Sequence, residues 1–239
     1  MEALAKKITT VFFDHGGTLF DYYPSNSEIW AKIAKRLGTK ITPDDPRIQQ
    51  GIRKQTHEFE KLNKPFLELS EAEIHTLNCH VLTAMGIDGE NTMETINAEF
   101  LAREQGSMFT LYPDVPEILK KIKAKQIKIG LISNIEKRLV AKRRTSLEES
   151  GIVHYFDAII LSAEVGVRKP QKEIFDIALR EIGTNDPAKA MHVGDSPVMD
   201  VRGAQNAGLI PILFDPLDLF STENVIKIRT LSAILQYLE

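Results

Sequence analysis

Four short apolar runs in the second half of this chain, each set off by a helical stretch, leave few folds open to it. The runs are Ile127–Ser133, Ala158–Ser162, Ala190–Gly194 and Leu209–Phe214. The helical stretches are Val115–Lys125, Glu136–Ser150 closed by Gly151, Pro170–Ile182 with proline in its first turn and Gly183 behind it, and Met199–Ala207 ended by Gly208. Strands alternating with helices of about 10–15 residues build a parallel, doubly wound α/β sheet. A fifth run, Thr10–Asp14, belongs to the same sheet but stands far upstream. Between it and the rest, from about Ser25 to Glu104, the pattern is helical. One stripe is Ile29, Trp30, Ile33, Ala34 and Leu37, closed by Gly38; another is Ile74, Leu77, Val81, Leu82 and Met85, closed by Gly86. Asn91–Leu101 reads as a further short helix, and Pro43, Pro46 and Pro65 break the spaces between. Trp30 and Cys79 lie on these stripes and read as core residues. The expected architecture is an α/β core from 1–20 and 109–239, with residues 21–108 inserted as an α-helical cap domain over the strand ends. The tail from Ser221 to Glu239 carries a helical stripe of Ile226, Leu231, Ile234, Leu235 and Leu238. It is expected to pack on the core, with a dimer contact as the alternative.

Composition narrows the functional classes. A net charge of −3 over 239 residues gives no argument for nucleic acid. The densest basic stretch, Lys137, Arg138, Lys142, Arg143 and Arg144, reads as a solvated helix face. The single cysteine excludes an intrachain disulfide. No apolar run approaches the ~18 residues of a membrane span, and the N-terminus lacks an apolar secretory core. A cytoplasmic location is expected, with monomer and dimer both open.

The chemistry is carried by strand ends, where open α/β sheets bind their ligands. Val11-Phe12-Phe13 delivers Asp14 into the glycine pair Gly16-Gly17, followed by Thr18. Ile129–Ile132 ends in Ser133-Asn134. Lys169 precedes Pro170 beyond Ala158–Ser162. Gly194-Asp195-Ser196-Pro197-Val198-Met199-Asp200 continues from Ala190–Gly194. Each station alone has an ordinary explanation: a turn, a solvated lysine, or a helix cap at Ser196. Their order, all at carboxyl ends, makes coincidence a poor account.

Asp14-His15-Gly16-Gly17-Thr18, together with Ser133, Lys169, Asp195 and Asp200, resembles the motif set of the haloacid dehalogenase superfamily. The likeness is to the branch with a helical cap between its first and second motifs. Leu111-Tyr112-Pro113-Asp114-Val115 and Ser162–Pro170 look like the same branch. The resemblance covers residues 1–20 and 110–216 by motif, and the cap by position and helical character. It implies a Rossmann-like core and a Mg²⁺-dependent hydrolase of a small phosphorylated metabolite, with Asp14 as nucleophile. Phosphoryl transfer needs an in-line nucleophile and neutralised phosphoryl oxygens. The implied roles meet that need. Lys169 orients Asp14 and the phosphate, and Ser133 and Thr18 donate to phosphate oxygens. Gly16, Gly17, Ser133, Asn134 and Lys169 make up the phosphate-binding set. Asp14, the backbone carbonyl of Gly16 and Asp195 ligate the metal, with Asp200 acting indirectly.

One position departs from the family pattern, Asp-x-Asp-Gly-Thr. The second Asp, which protonates the leaving alcohol and activates the hydrolytic water, is Gly16 here. Such acid–base help is worth ~10²–10⁴-fold. Three readings follow. The first is an active hydrolase whose acid is missing or supplied elsewhere. His15 alternates away from Asp14 along the strand, Asp21 belongs to a hinge, and His57, Glu58, Lys61, His75 and His80 lie in the cap. Phosphonate-cleaving relatives supply a cap lysine instead, for which Lys54, Lys61 and Lys64 are the candidates here. The second reading is a 2-haloacid dehalogenase, against which Asp195 and Asp200 argue. The third is a catalytically weak phosphate- or partner-binding protein. Hinges are expected near Asp21–Pro24 and Gly106–Leu111; the substrate itself is not written in the cap.

Overall fold

In the computed structural model, which describes residues 7–62, 68–105, 109–220 and 224–238, the first strand takes the central place that its unbroken apolar run requires. β1 (Thr10–Phe13) is buried at every position. The chain continues through β2 (Phe20–Tyr22), α1 (Asn26–Arg36), α2 (Pro46–Leu62), α3 (Glu71–Ala84), α4 (Met93–Gln105) and β3 (Phe109–Leu111). It then alternates: α5 (Val115–Ala124), β4 (Lys128–Ser133), α6 (Val140–Glu149), β5 (Ala158–Leu161), α7 (Ser162–Val165), α8 (Lys172–Ile182) and β6 (Ala190–Gly194). The last elements are α9 (Gly203–Asn206), β7 (Ile210–Phe214) and β8 (Ile226–Ile228). Two compact units result, one of Met1–Asp21 with Leu111–Glu239 and the other of Tyr22–Thr110.

In the first unit the described residues form a six-stranded sheet ordered β5-β4-β1-β6-β7-β8. All its pairings are parallel. The chain moves outward from β1 through β4 to β5, then crosses back to β6 on the other side. That reversal makes the carboxyl end of β1 the switch point of the sheet. Register aligns the ends: Phe13 lies beside Leu131 of β4 and Val193 of β6, and Ser133 lies beside Leu161 of β5. On one face, Phe12, Ile132 and Ile160 pack with Ile174, Phe175, Ala178, Leu179 and Ile182 of α8. These sit at helical spacing and are removed from water at about 1.5–3 kcal/mol for each large side chain.

The second unit is helical, as its stripes require. Ser25 and Ser70 open α1 and α3 with reciprocal caps to Glu28 and Glu73. Trp30 is buried, edge-on to Phe100 at 5.9 Å. Asn78, buried between α2 and α3, accepts from Gln55 Nε2 at 2.9 Å. The Arg103 guanidinium covers the rings of Tyr22 and Phe100 at 4.8 and 5.0 Å and reaches Asn26. No helix among the described residues is long and apolar enough to cross a membrane.

Several local expectations change. Pro46, expected in a space between helices, starts α2, where a missing N–H costs nothing. Pro170 lies ahead of α8, which begins at Lys172 behind Gln171. Residues 137–139 form a 3₁₀ turn before α6. Met199–Ala207 is not one helix: Pro197–Arg202 is a π-helical turn that runs into α9. The tail is not one helix either. Ile226-Lys227-Ile228 alternates as β8 beside β7, and only Leu231–Tyr237 coils, as a 3₁₀ helix. The strands β2 and β3 pair with each other in a second sheet and were not expected. Cys79 is half-buried rather than core, 3.7 Å from His75 Nε2. Lys64, Pro65, Gly106–Met108 and Ser221–Glu223 lie outside the described residues.

Leu231, Ile234 and Leu238 of the tail are buried, with the 3₁₀ helix against α5. Ile234→Ala is expected to cost about 2–5 kcal/mol, the range for emptying a closed core site. Urea unfolding measures this. A wild-type midpoint would place Ile234 outside the cooperative core.

Candidate active site

The ammonium group of Lys169 is at the centre of the site. Its side chain is 1% exposed, and Nζ lies 2.5 Å from Asp14 Oδ1 and 2.5 Å from Asp200 Oδ1. A lysine buried so completely needs carboxylates to offset its lost hydration. Asp14 comes from the end of β1, where its N–H donates to the Val193 carbonyl at 2.8 Å. Lys169 is set by its main chain: Asn134 Oδ1 accepts from the Lys169 N–H and Asn134 Nδ2 donates to its carbonyl, both at 2.9 Å. The Ser162 hydroxyl in turn accepts from the Ile135 N–H at 2.9 Å, tying the loop after β4 to the end of β5.

Asp200 owes its aim to the π-helical turn. Both Asp200 N–H and Val201 N–H donate to the Ser196 carbonyl. The widened turn brings Asp200 Oδ2 within 3.0 Å of the Ser196 N–H. Its Oδ1 also meets His192 Nε2 at 2.8 Å. The strand leaves room because residue 194 is glycine; a Cβ there would fall 2.1 Å from the Asp200 carboxyl carbon. Burial alone would raise the Asp200 carboxyl, but Lys169 and the bond from His192 outweigh it and hold it well below the usual range. Burial pushes the His192 imidazole down, further than Asp200 can raise it. The ring is therefore neutral and donates from Nε2, because an ionised carboxylate can only accept.

The first loop folds tightly around its glycines. Gly17 N–H donates to the Phe20 carbonyl at 2.7 Å, and Gly17 takes φ +81°. A Cβ on Gly17 would lie 2.2 Å from Asp195 Oδ2, so the Asp195 carboxylate occupies the space that glycine leaves. Thr18 is fully buried, and its Oγ1 has no hydrogen-bond partner among the described residues. His15 is also buried and lies flat against Phe20 at 4.1 Å. Burial, then the charges of Arg143 and Lys169, push its imidazole well below the ordinary value. It is thus neutral.

The charge balance of this cluster fits a divalent cation. Burial raises Asp14, and Lys169 offsets only part of that. Burial, followed by the charges of Asp14 and Asp200, drives Asp195 well above the carboxylate range. Three carboxyls share Lys169 here, so ionising all of them calls for a further positive charge, which a metal ion would supply. Among the described residues no three His, Cys, Asp or Glu side chains gather as a metal cage. Such a donor set suits Mg²⁺, which takes one or two carboxylates and keeps water in its other positions.

The fold thus brings Asp14, Gly17, Ser133, Asn134, Lys169, Asp195 and Asp200 to one end of the sheet. Asn134, expected among the phosphate binders, spends its side chain on Lys169. Arg143 is a correction: it is no solvated residue but 7% exposed, and its Nη1 donates to Ser133 Oγ at 3.3 Å. Its sequence signal was the four-residue step from Arg143 to buried Leu147 on α6. Tyr112 was also missed as a site residue. Burial and the nearby Asp21 and Asp195 raise its hydroxyl, which hydrogen-bonds to Asp21. In the helical unit, Glu58 and Lys61 pair with each other at 2.8 Å, and His75 Nε2 meets the Gly89 carbonyl at 3.1 Å.

Comparison with known proteins bears on this site. A family model described as haloacid dehalogenase-like hydrolase matches residues 8–208. An uncharacterised hydrolase of Schizosaccharomyces pombe is 30% identical over 213 residues, covering 84% of this chain and 88% of its own. The glyceraldehyde 3-phosphate phosphatase of Methanothermobacter thermautotrophicus is 29% identical over 86% of this chain and 85% of its own. The pyrimidine 5′-nucleotidase YjjG of Escherichia coli is 40% identical over a shorter span, 42% of this chain and 43% of its own. Among solved structures, the magnesium-bound HAD hydrolase YfnB of Bacillus subtilis superposes with a TM-score of 0.63 at 21% identity. That match covers 98% of this chain and 99% of the other.

Lys169→Met would leave Asp14 and Asp200 buried without their shared cation. A loss of about 3–5 kcal/mol in folding stability is expected, as for a broken buried ion pair. An unchanged urea midpoint would mean that the ammonium charge is not what holds the cluster.

Proposed function

The chain belongs to the haloacid dehalogenase-like hydrolases, and from that premise we propose that it is a Mg²⁺-dependent phosphohydrolase working through an aspartyl-phosphate on Asp14. The observation that carries this reading is Lys169 held between Asp14 and Asp200, with a third carboxylate, Asp195, at the same end of the sheet. Lys169 fixes one oxygen of Asp14 and leaves the other to attack phosphorus in line. Its charge also faces the phosphoryl oxygens as negative charge builds on them. Ser133 and Thr18 are assigned as donors to those oxygens; the unpartnered Thr18 hydroxyl suits that role. Asp14, Asp195 and the Gly16 carbonyl would hold the cation, which when bound neutralises phosphate charge. Asp200 acts through Lys169, by orienting it.

The absence of a carboxyl at Gly16 shapes the substrate range. The leaving oxygen departs without a proton from that position, and the phosphoryl group on Asp14 must be hydrolysed without its usual base. Acyl and aryl phosphates, whose leaving groups need no acid, suffer least. Relatives whose names specify glyceraldehyde 3-phosphate and pyrimidine nucleotides support a small phosphorylated metabolite as substrate class. A dehalogenase, needing no metal, would have no use for Asp195 where it lies against the Gly17 turn.

Phosphate release from p-nitrophenyl phosphate and acetyl phosphate is expected only with Mg²⁺, and Asp14→Asn should reduce it to background. No release from either substrate would shift the weight to a binding protein. Mg²⁺ should also raise the melting temperature of the wild type and not that of Asp195→Asn, since a ligand stabilises only the fold that binds it; equal shifts would move the metal elsewhere.

Gly16 does not have a positive φ, so a side chain meets no left-handed backbone there. Gly16→Asp is expected to raise turnover, by up to ~10²–10⁴-fold for an alkyl phosphate and less for the aryl ester. An unchanged rate would mean that another group already moves the proton.

A further inference from the structure

We infer that Arg143 is a positioning residue that fixes Ser133 as a hydrogen-bond donor to the substrate phosphate. The inference rests on the phosphohydrolase reading and deepens it. α6 is a polar helix that turns inward only Arg143 and Leu147. The flanking basic residues behave differently. Lys142 is exposed, and Arg144 pairs outward with Glu164 at 2.6 and 2.9 Å. One of three consecutive cations has therefore been taken out of water, which is costly unless its charge is put to use. Its Nη1 is 3.3 Å from Ser133 Oγ, itself 2% exposed at the carboxyl end of β4. The Arg143 charge is also felt at the ring of His15, the residue after Asp14.

The donor inventory gives this contact a direction. A guanidinium has five N–H donors and no acceptor, so Ser133 Oγ must accept from it. The single Ser133 hydrogen is then turned elsewhere. Among the described residues it reaches the Asn134 carbonyl at 3.5 Å, at the outer limit for a hydroxyl bond and easily exchanged for a phosphoryl oxygen. Arg143 need not touch the phosphate. It polarises Ser133 and removes the rotamer in which the hydroxyl would accept rather than donate. Its positive charge, set back from the site, favours a dianion over a neutral ligand.

The test compares wild type, Ser133→Ala, Arg143→Met, Arg143→Lys and the Ser133→Ala/Arg143→Met double variant. Each is measured for kcat and KM on p-nitrophenyl phosphate and for inorganic phosphate binding by calorimetry, with thermal unfolding to confirm folding. Arg143→Met should weaken phosphate binding and kcat/KM by about 10–100-fold, as for a hydrogen bond to a charged group. Arg143→Lys should recover part of the loss. The double variant should be no worse than Ser133→Ala alone, because the two residues act as one unit. Losses that simply multiply in the double variant, or an Arg143→Met protein that binds and turns over like wild type, would overturn the inference. If Arg143→Met fails to fold, Arg143→Lys and Arg143→Gln carry the same comparison. Phosphate binding that follows the non-multiplying pattern without any turnover would uphold the Arg143–Ser133 unit and defeat the hydrolase reading. Turnover with multiplying losses would do the reverse.

Discussion

A buried lysine shared by two carboxylates is the constraint from which the rest of this core follows. Lys169 has no water to fall back on, so Asp14 and Asp200 must arrive at fixed positions, and their backbones with them. Asp14 is placed by the end of the central strand. Asp200 is placed by a turn that widens enough to point its carboxylate back toward the sheet. Asn134 grips the main chain of Lys169 on both sides. None of these contacts would be worth much on the surface, where ion pairs yield about 0–1 kcal/mol. In the dry interior each becomes obligatory, since the loss of any partner strands a charge.

The same arithmetic explains why the site looks overcharged. Asp195 pushes against Asp14 and Asp200 around Lys169, and burial beside them drives its carboxyl well above the usual range. The glycines at 17 and 194 belong to that arrangement. Each gives up a side chain so that a carboxylate can stand where its Cβ would be.

Much of this was legible in the sequence because it rests on periodicity. The parallel sheet follows from apolar runs of strand length alternating with helices, and Asp14, Ser133, Lys169 and Asp195 follow from what stands at the ends of those runs. What escaped was decided by local hydrogen bonds or by tertiary context. Ile226 reads as the start of a helical stripe with Leu231 and Ile234, and the alternation of Ile226 and Ile228 at the free edge of β7 makes it a strand instead. The π-helical turn depends on Ser196 accepting two N–H bonds, which no hydrophobic pattern encodes. Arg143 was hidden among basic neighbours because composition cannot tell which of three adjacent cations a helix turns inward. Asn134 was placed among ligand-facing groups because it follows Ser133, whereas its amide satisfies a neighbouring loop.

The bond between Lys169 and Asp14 joins residues 155 apart in the chain, and the entire helical unit lies within that span. Asp14 is made early and its counter-ion late. As the chain leaves the ribosome, Asp14 remains an ordinary hydrated aspartate until β4, Lys169, β6 and the turn at Asp200 have all followed. No fragment that stops short of Asp200 can hold Asp14 buried and paired. Assembly of the site is therefore coupled to completion of the core: a truncated or stalled product would carry every residue of the first motif and none of its fixed geometry.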